Sequence, residues 1–190
     1  MDKINIDANT YVYPNPVTLV GTQVEGRANF MAVGWVSRVN RKPPLIGIGV
    51  NRAHYTGKGI KETKTFSINF PSAEMVEITD YCGIVSGKKV DKSNIFKTFY
   101  GHLKTAPMIT ESTLCMECKL FDTVELPSNY FFIGEILACY TEEKYLTDGT
   151  LDIKKMNPLL LTMPDKSYWT VGEFVGKAWS VGTKLKKNNA

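Results

Sequence analysis

The stretch Pro16-Val17-Thr18-Leu19-Val20-Gly21-Thr22, followed by Asn29-Phe30-Met31-Ala32-Val33-Gly34-Trp35, decides how this chain is read. Val17 to Thr22 has the composition of a strand, and Gly26 supports a turn before the next run, so the whole reads as strand, turn, strand. The second run sets one amide, one thioether and one indole along a short segment. An amide donates and accepts at a ring edge, the backbone hydrogen-bonds alongside it, and an indole stacks on or walls off a face. Together they suit a flat, polar-edged aromatic ligand.

Further strands are expected outward from this pair. Ala32 to Val39 is apolar enough for one, with Gly34 inside it marking a bulge or a close backbone approach. Pro43-Pro44 ends the next loop, and Leu45 to Val50 is a strand with glycines on one side. Thr65 to Asn69 is another, stopped by Pro71. Leu114 to Val124 and Tyr130 to Tyr140 read as two long strands around Pro127-Ser128-Asn129. Helices are expected over Thr56 to Lys64, over a segment capped by Ser72 and running through Met75 and Ile78, and over Asn94 to Tyr100. A last one over Gly172 to Trp179 would pack Phe174 and Trp179 onto the body or onto a partner chain. The pattern is mainly β with a few helices, a barrel or sandwich rather than a doubly wound sheet.

The 190 residues are most simply one domain, with 43% hydrophobic and 22% charged residues. The net charge of +4 draws much of its excess from Lys184, Lys186 and Lys187, read as a solvated, frayed end. No broad basic stretch interleaved with aromatics suggests nucleic acid. No apolar run approaches the ~20 residues that span a bilayer, and the first residues lack the apolar block of a signal peptide. The expected location is the cytoplasm, where Cys82, Cys115, Cys118 and Cys139 are expected to be thiols.

Two segments carry candidate chemistry. Asn51-Arg52-Ala53-His54-Tyr55-Thr56-Gly57-Lys58 leads from a strand into a helix, whose first amides lack partners and carry partial positive charge. Arg52, His54, Thr56 and Lys58 add donors and positive charge there, making either a phosphate cradle or a solvated loop with a Thr cap. Cys82-Gly83 to Asp91-Lys92 is a helix exit and a basic loop. Its Lys92 neutralises a phosphate, sits beside an electron-rich ring, or is solvated. Cys115-Met116-Glu117-Cys118 falls inside an expected strand, where positions three apart point to opposite faces, so neither chelation nor a redox turn is expected. Neither His54 nor His102 has an evident nucleophile partner, and no dinucleotide fingerprint is present.

An ordered set of motifs resembles the flavin reductase-like, FMN-binding split-barrel family, and especially its flavoredoxin-type branch. The set comprises Tyr13-Pro14-Asn15-Pro16-Val17, Asn29-x-Met31-Ala32-Val33-Gly34-Trp35 with Ser37, and Asn51-Arg52-x-His54-Tyr55-Thr56. It continues with Phe66-x-Ile68-Asn69-x-Pro71, Asp80-x-Cys82-Gly83, Asp91-Lys92 and Phe132-Ile133-Gly134-Glu135-Ile136. The resemblance covers most of the chain and implies a single split β-barrel domain, homodimeric, with FMN near the subunit interface. It implies Asn29, Met31, Trp35 and Ser37 along the isoalloxazine and ribityl side. Arg52, His54, Tyr55, Thr56 and Lys58 would hold the phosphate, with Lys92 approaching from its loop and positions Asn129 to Phe131 contributing across the dimer. It further implies an oxidoreductase taking hydride or electrons at flavin N5, with NADH or NADPH as candidate donors and flavin, iron or a redox protein as acceptor. The alternatives are a flavoredoxin-like electron carrier with tightly held FMN, and a split barrel that binds no flavin and serves as an interaction domain.

Overall fold

A computed structural model describes residues 2–186. Seven strands form one antiparallel sheet: β1 (Thr18–Val24), β2 (Arg27–Val33), β3 (Val36–Asn40), β4 (Leu45–Asn51), β5 (Thr65–Phe70), β6 (Leu114–Glu125) and β7 (Asn129–Tyr140). Their order is β2-β1-β5-β6-β7-β4-β3. The sheet curls so that Met31 and Val33 of β2 share one core with Ile46, Ile48 and Val50 of β4, which makes the architecture a split barrel. Two helices, α1 (Tyr55–Thr63) and α2 (Val76–Ile84), cover β1 and β2.

The opening strand pair is buried on both faces because successive side chains alternate. Val20 and Met31 enter the barrel core with Phe66 and Phe132. Leu19 and Phe30 enter a second cluster with Cys82 and Phe96. The turn between them is Glu25-Gly26, both at positive φ (53° and 77°), the geometry a two-residue hairpin needs. Register is fixed from Thr18 opposite Val33 to Val24 opposite Arg27.

Several expected elements differ. The run from Ala32 to Val39 is two strands, because the chain leaves the ladder at Gly34-Trp35, where the Trp35 carbonyl accepts from Gly49 N–H at 2.9 Å. Asn94 to Tyr100 is a turn followed by Thr98–Phe99, which pairs with Met108–Ile109 instead of forming a helix. Ser72 has extended backbone, but its side chain caps nothing; a 3-10 turn over Ala73–Met75 opens α2. Gly172 to Trp179 is irregular, and Phe174 and Trp179 are exposed on the chain rather than packed on its body. Of the basic tail, Lys184 and Lys186 fall in a short helix (Thr183–Lys186), and Lys187 lies outside the described residues.

Cys115 and Cys118 are buried free thiols within β6. Cys118 belongs to the barrel core, whereas the Cys115 thiol donates to the Ile109 carbonyl at 3.3 Å. Burial pushes Cys115 up to about 12, and burial pushes Cys118 up further still. Both stay protonated at neutral pH, which removes the thiolate that redox or metal chemistry requires.

Candidate functional site

The site begins where β2 and the first turn of α1 meet. Asn29 is buried, and its side-chain N–H donates to the Thr56 hydroxyl oxygen at 2.9 Å. That bond fixes Thr56 as an acceptor toward Asn29 and leaves its own proton to donate elsewhere. Thr56 is buried in the first turn of α1, which contains no acidic residue. The free amides and positive end of this nine-residue helix are therefore uncompensated by the helix itself.

Lys92 faces the same cavity, which is about 150 Å³ and also lined by Met31, His54, Tyr55 and Thr56. Lys92 as a whole is only 3% exposed. It donates to the carbonyls of Phe30 at 2.9 Å and Cys82 at 3.1 Å, and no carboxylate pairs with it among the described residues. Burial holds its pKa below the usual lysine value. Two carbonyl dipoles use two of its three protons, and the cation lacks a counter-charge. Gly87 closes the loop over this cavity, since a Cβ there would overlap the Asn29 side-chain oxygen. His54 is exposed at the helix cap; partial desolvation, then the nearby Lys92 cation, depress its pKa.

Met31 and His54 also line a second groove of about 230 Å³, so the two are continuous. Its walls are Met31 to Trp35, on the edge strand of the sheet and the turn that follows it, with Gly49, Asn51 and Asn129. Trp35 is 50% exposed and lies over Gly49, where a Cβ would come within 3.0 Å of the indole. Backbone polar groups along one edge and an indole above a glycine leave a slot shaped for a flat ring.

The structure thus brings together Asn29, Met31, Trp35, His54, Tyr55, Thr56 and Lys92. It does not bring Arg52 or Lys58 to them, and it joins Ser37 to Trp35 alone. Arg52 reaches the other way: its Nε donates to the Leu126 carbonyl at 2.8 Å, and its guanidinium pairs with Glu125 and lies over Tyr130. Lys58 pairs with Glu25 at 2.7 Å on the outside of α1. Ser37 lines a separate chamber beyond Trp35 and donates to its neighbour's carbonyl. Charge and helix position placed Arg52 and Lys58 in the cradle, but the acidic residues that capture them come from β6 and the β1–β2 turn, distant in sequence. Asn51 is the residue sequence reasoning left out of the site, and Asn129, expected to contribute across a dimer, lines the groove of its own chain. They face each other in register across β4 and β7, a pairing that becomes visible only once the strands are aligned.

A split barrel whose sheet end and helix N-terminus share one groove defines the class of flavin reductase-fold proteins. The chain belongs to the flavin reductase like domain family, whose model matches residues 10–162 and so includes every site residue named above. It is 60% identical to a flavoredoxin from Methanosarcina acetivorans, with a TM-score of 0.96 covering 97% of this chain and 100% of that one. It is 36% identical to the flavoredoxin of Desulfovibrio vulgaris (Miyazaki F), with a TM-score of 0.89 covering 95% and 100%. An uncharacterised protein of Aeropyrum pernix is 26% identical over 84% of this chain, which spans 62% of that protein's length.

Proposed function

We propose that this chain is an FMN-binding oxidoreductase, with the FMN phosphate at the α1 N-terminus and the ring in the slot beside Trp35. The observation that carries the reading is Lys92, a buried ammonium without a carboxylate partner that shares a cavity with unpaired helix amides. A phosphate supplies the missing charge and accepts from the Thr56 hydroxyl and those amides. FMN, when bound, supplies the two-electron chemistry at its N5, which no side chain of this chain need supply. The protein's part is positioning. Asn29 orients Thr56, Lys92 holds the anion, the Met31–Trp35 backbone meets the polar ring edge, and Trp35 covers part of one face.

Electrons arrive from NADH, NADPH or a redox protein and leave to free flavin, iron or a partner protein. Within this reading, the flavoredoxin-like electron carrier is favoured by the 60% identity to a flavoredoxin over nearly the whole chain. We further propose a cytoplasmic homodimer. The β6–β7 hairpin supports the dimer, since Phe121, Val124 and Leu137 expose apolar surface along it. Light scattering is then expected to give twice the 21.3 kDa chain mass, and a monomer contradicts it.

A visible absorbance spectrum after FMN addition and desalting tests the main reading. Flavin bands that bleach with NADH or NADPH identify a reductase. Bands that survive both nicotinamides and bleach with dithionite identify a carrier. A colourless protein after FMN addition contradicts flavin binding and leaves a flavin-free interaction domain.

A further inference from the structure

A chamber of about 550 Å³ lies where the ladder of Thr98–Phe99 with Met108–Ile109 meets the start of β6 and the end of β7. Its volume is within the range of small-molecule pockets. It shares no lining residue with the phosphate cradle or the ring slot. Phe99, Ile109 and Tyr140 make its apolar walls, and the Phe99 and Tyr140 rings meet edge to face with centroids 5.6 Å apart. Ser112 and Cys115 line it from the turn before β6 and from β6 itself.

Two observations set what this chamber takes. The first is the Ser112 hydroxyl. Ser112 is 4% exposed, and its Oγ is one of two buried side-chain polar atoms among the described residues that lack a hydrogen-bond partner. The other belongs to Thr79 on α2, outside the chamber. The local reason is that the nearby Ile109 carbonyl is already taken, accepting from the Ser112 amide at 3.2 Å and from the Cys115 thiol at 3.3 Å. A buried hydroxyl without a partner costs free energy that a ligand atom recovers by pairing with it. The second observation is charge. Lys97 and Glu142 stand exposed at the rim. Glu142 is neutralised by Lys144 at 2.9 Å, whereas Lys97 makes no ion pair among the described residues. The chamber therefore combines an apolar body, one unpaired hydroxyl inside and one uncompensated cation at the mouth.

We propose that this chamber is a ligand site separate from the flavin site, and that it takes an aryl monocarboxylate bearing a hydroxyl at the end away from its carboxylate. The ring lies among Phe99, Ile109 and Tyr140, the ligand hydroxyl pairs with Ser112, and the carboxylate stays at the rim beside Lys97. The reverse orientation would bury a charge against a single neutral donor, which costs more than that bond returns. A nucleotide does not match, because several negative charges would meet one exposed lysine. The site stands on its own lining and does not rest on the function proposed above.

Isothermal titration calorimetry with 6-hydroxy-2-naphthoate, 2-naphthoate and 2-naphthol tests the site, on the full chain after FMN addition. The hydroxynaphthoate is expected to bind one per chain without releasing flavin into the filtrate. 2-Naphthoate, which lacks the hydroxyl, is expected to bind about three- to tenfold more weakly, the size of one neutral hydrogen bond. Ser112→Ala is expected to weaken the hydroxynaphthoate by the same factor and to leave 2-naphthoate unchanged. Lys97→Ala, at an exposed position, is expected to weaken both carboxylates about two- to fivefold and to leave 2-naphthol unchanged. FMN uptake is expected to be the same in both variants. Absence of probe binding to protein that retains FMN overturns the site and leaves the flavin reading intact. Equal binding of the hydroxynaphthoate and 2-naphthoate, release of FMN by the probe, or indifference to either substitution also overturns it. Probe binding that depends on Ser112 and Lys97, in a protein that takes up no FMN, supports the site while the flavin reading fails.

Discussion

At the residue scale, the cradle depends on a short chain of donors. Asn29 donates to Thr56, which frees the Thr56 proton for an anion. Thr56→Val therefore removes one donor to the phosphate and also strands the buried Asn29 amide. The variant is expected to lose about 1–3 kcal/mol of stability in denaturant melts and to weaken FMN more than riboflavin. Equal weakening of the two ligands would contradict the phosphate assignment. The thiols give a second expectation. Burial holds Cys82 at about 11 and Cys115 at about 12, while Cys139 is exposed. At mildly alkaline pH a bulky thiol reagent should modify Cys139 alone in the native protein, and all four cysteines after denaturation. Fast native reaction of Cys115 or Cys118 would revive a role for the pair. That Asn29, Thr56 and Lys92 lie together was legible in the sequence, Thr56 and Lys92 because their type and position suit an anion and Asn29 because an amide suits a ring edge. The contacts that Arg52 and Lys58 make were not. A charged side chain goes to whichever partner the fold brings near, and here those partners are Glu125 and Glu25.

At the element scale, the strands and α1 were legible because apolar runs ended at prolines and glycines. The missed elements have local causes. Gly34-Trp35 breaks an apolar run because Trp35 turns out over Gly49, a tertiary contact that no periodicity reports. Asn94 to Tyr100 forms no helix, and its end pairs with Met108–Ile109 instead. The β1–β2 turn makes a testable claim. Gly26 sits at φ 77°, so Gly26→Ala is expected to cost about 1 kcal/mol in stability without changing flavin affinity. The loop over the cradle makes the opposite claim. Gly87→Ala must push the loop off Asn29, so flavin affinity is expected to fall more than thermal stability does. A Gly87→Ala variant with unchanged FMN affinity would separate that loop from the site.

At the scale of the whole molecule, folding leaves a buried cation without a counter-charge, and burial depresses the Lys92 pKa. Without ligand, the unfolded chain binds this proton more readily than the folded one. Stability is then expected to rise with pH as it passes through the folded Lys92 pKa toward the unfolded value near 10.5, and Lys92→Met should remove that rise. FMN reverses the sign, because a phosphate favours the charged lysine, so FMN affinity should fall over the same alkaline range. The fold and the location of the groove could be read from the ordered motifs. The chamber beyond Trp35 could not, since its walls come from the N-terminal segment, β4 and β7, brought together only by the curl of the sheet. The measurement that tests the central claim most directly is the dissociation constant of FMN against that of riboflavin, in the natural chain and in Lys92→Met. The natural chain should prefer FMN by a wide margin, and Lys92→Met should lose about 10- to 100-fold of FMN affinity while riboflavin changes little. Equal affinity for FMN and riboflavin in the natural chain, or an undiminished preference in Lys92→Met, would contradict it.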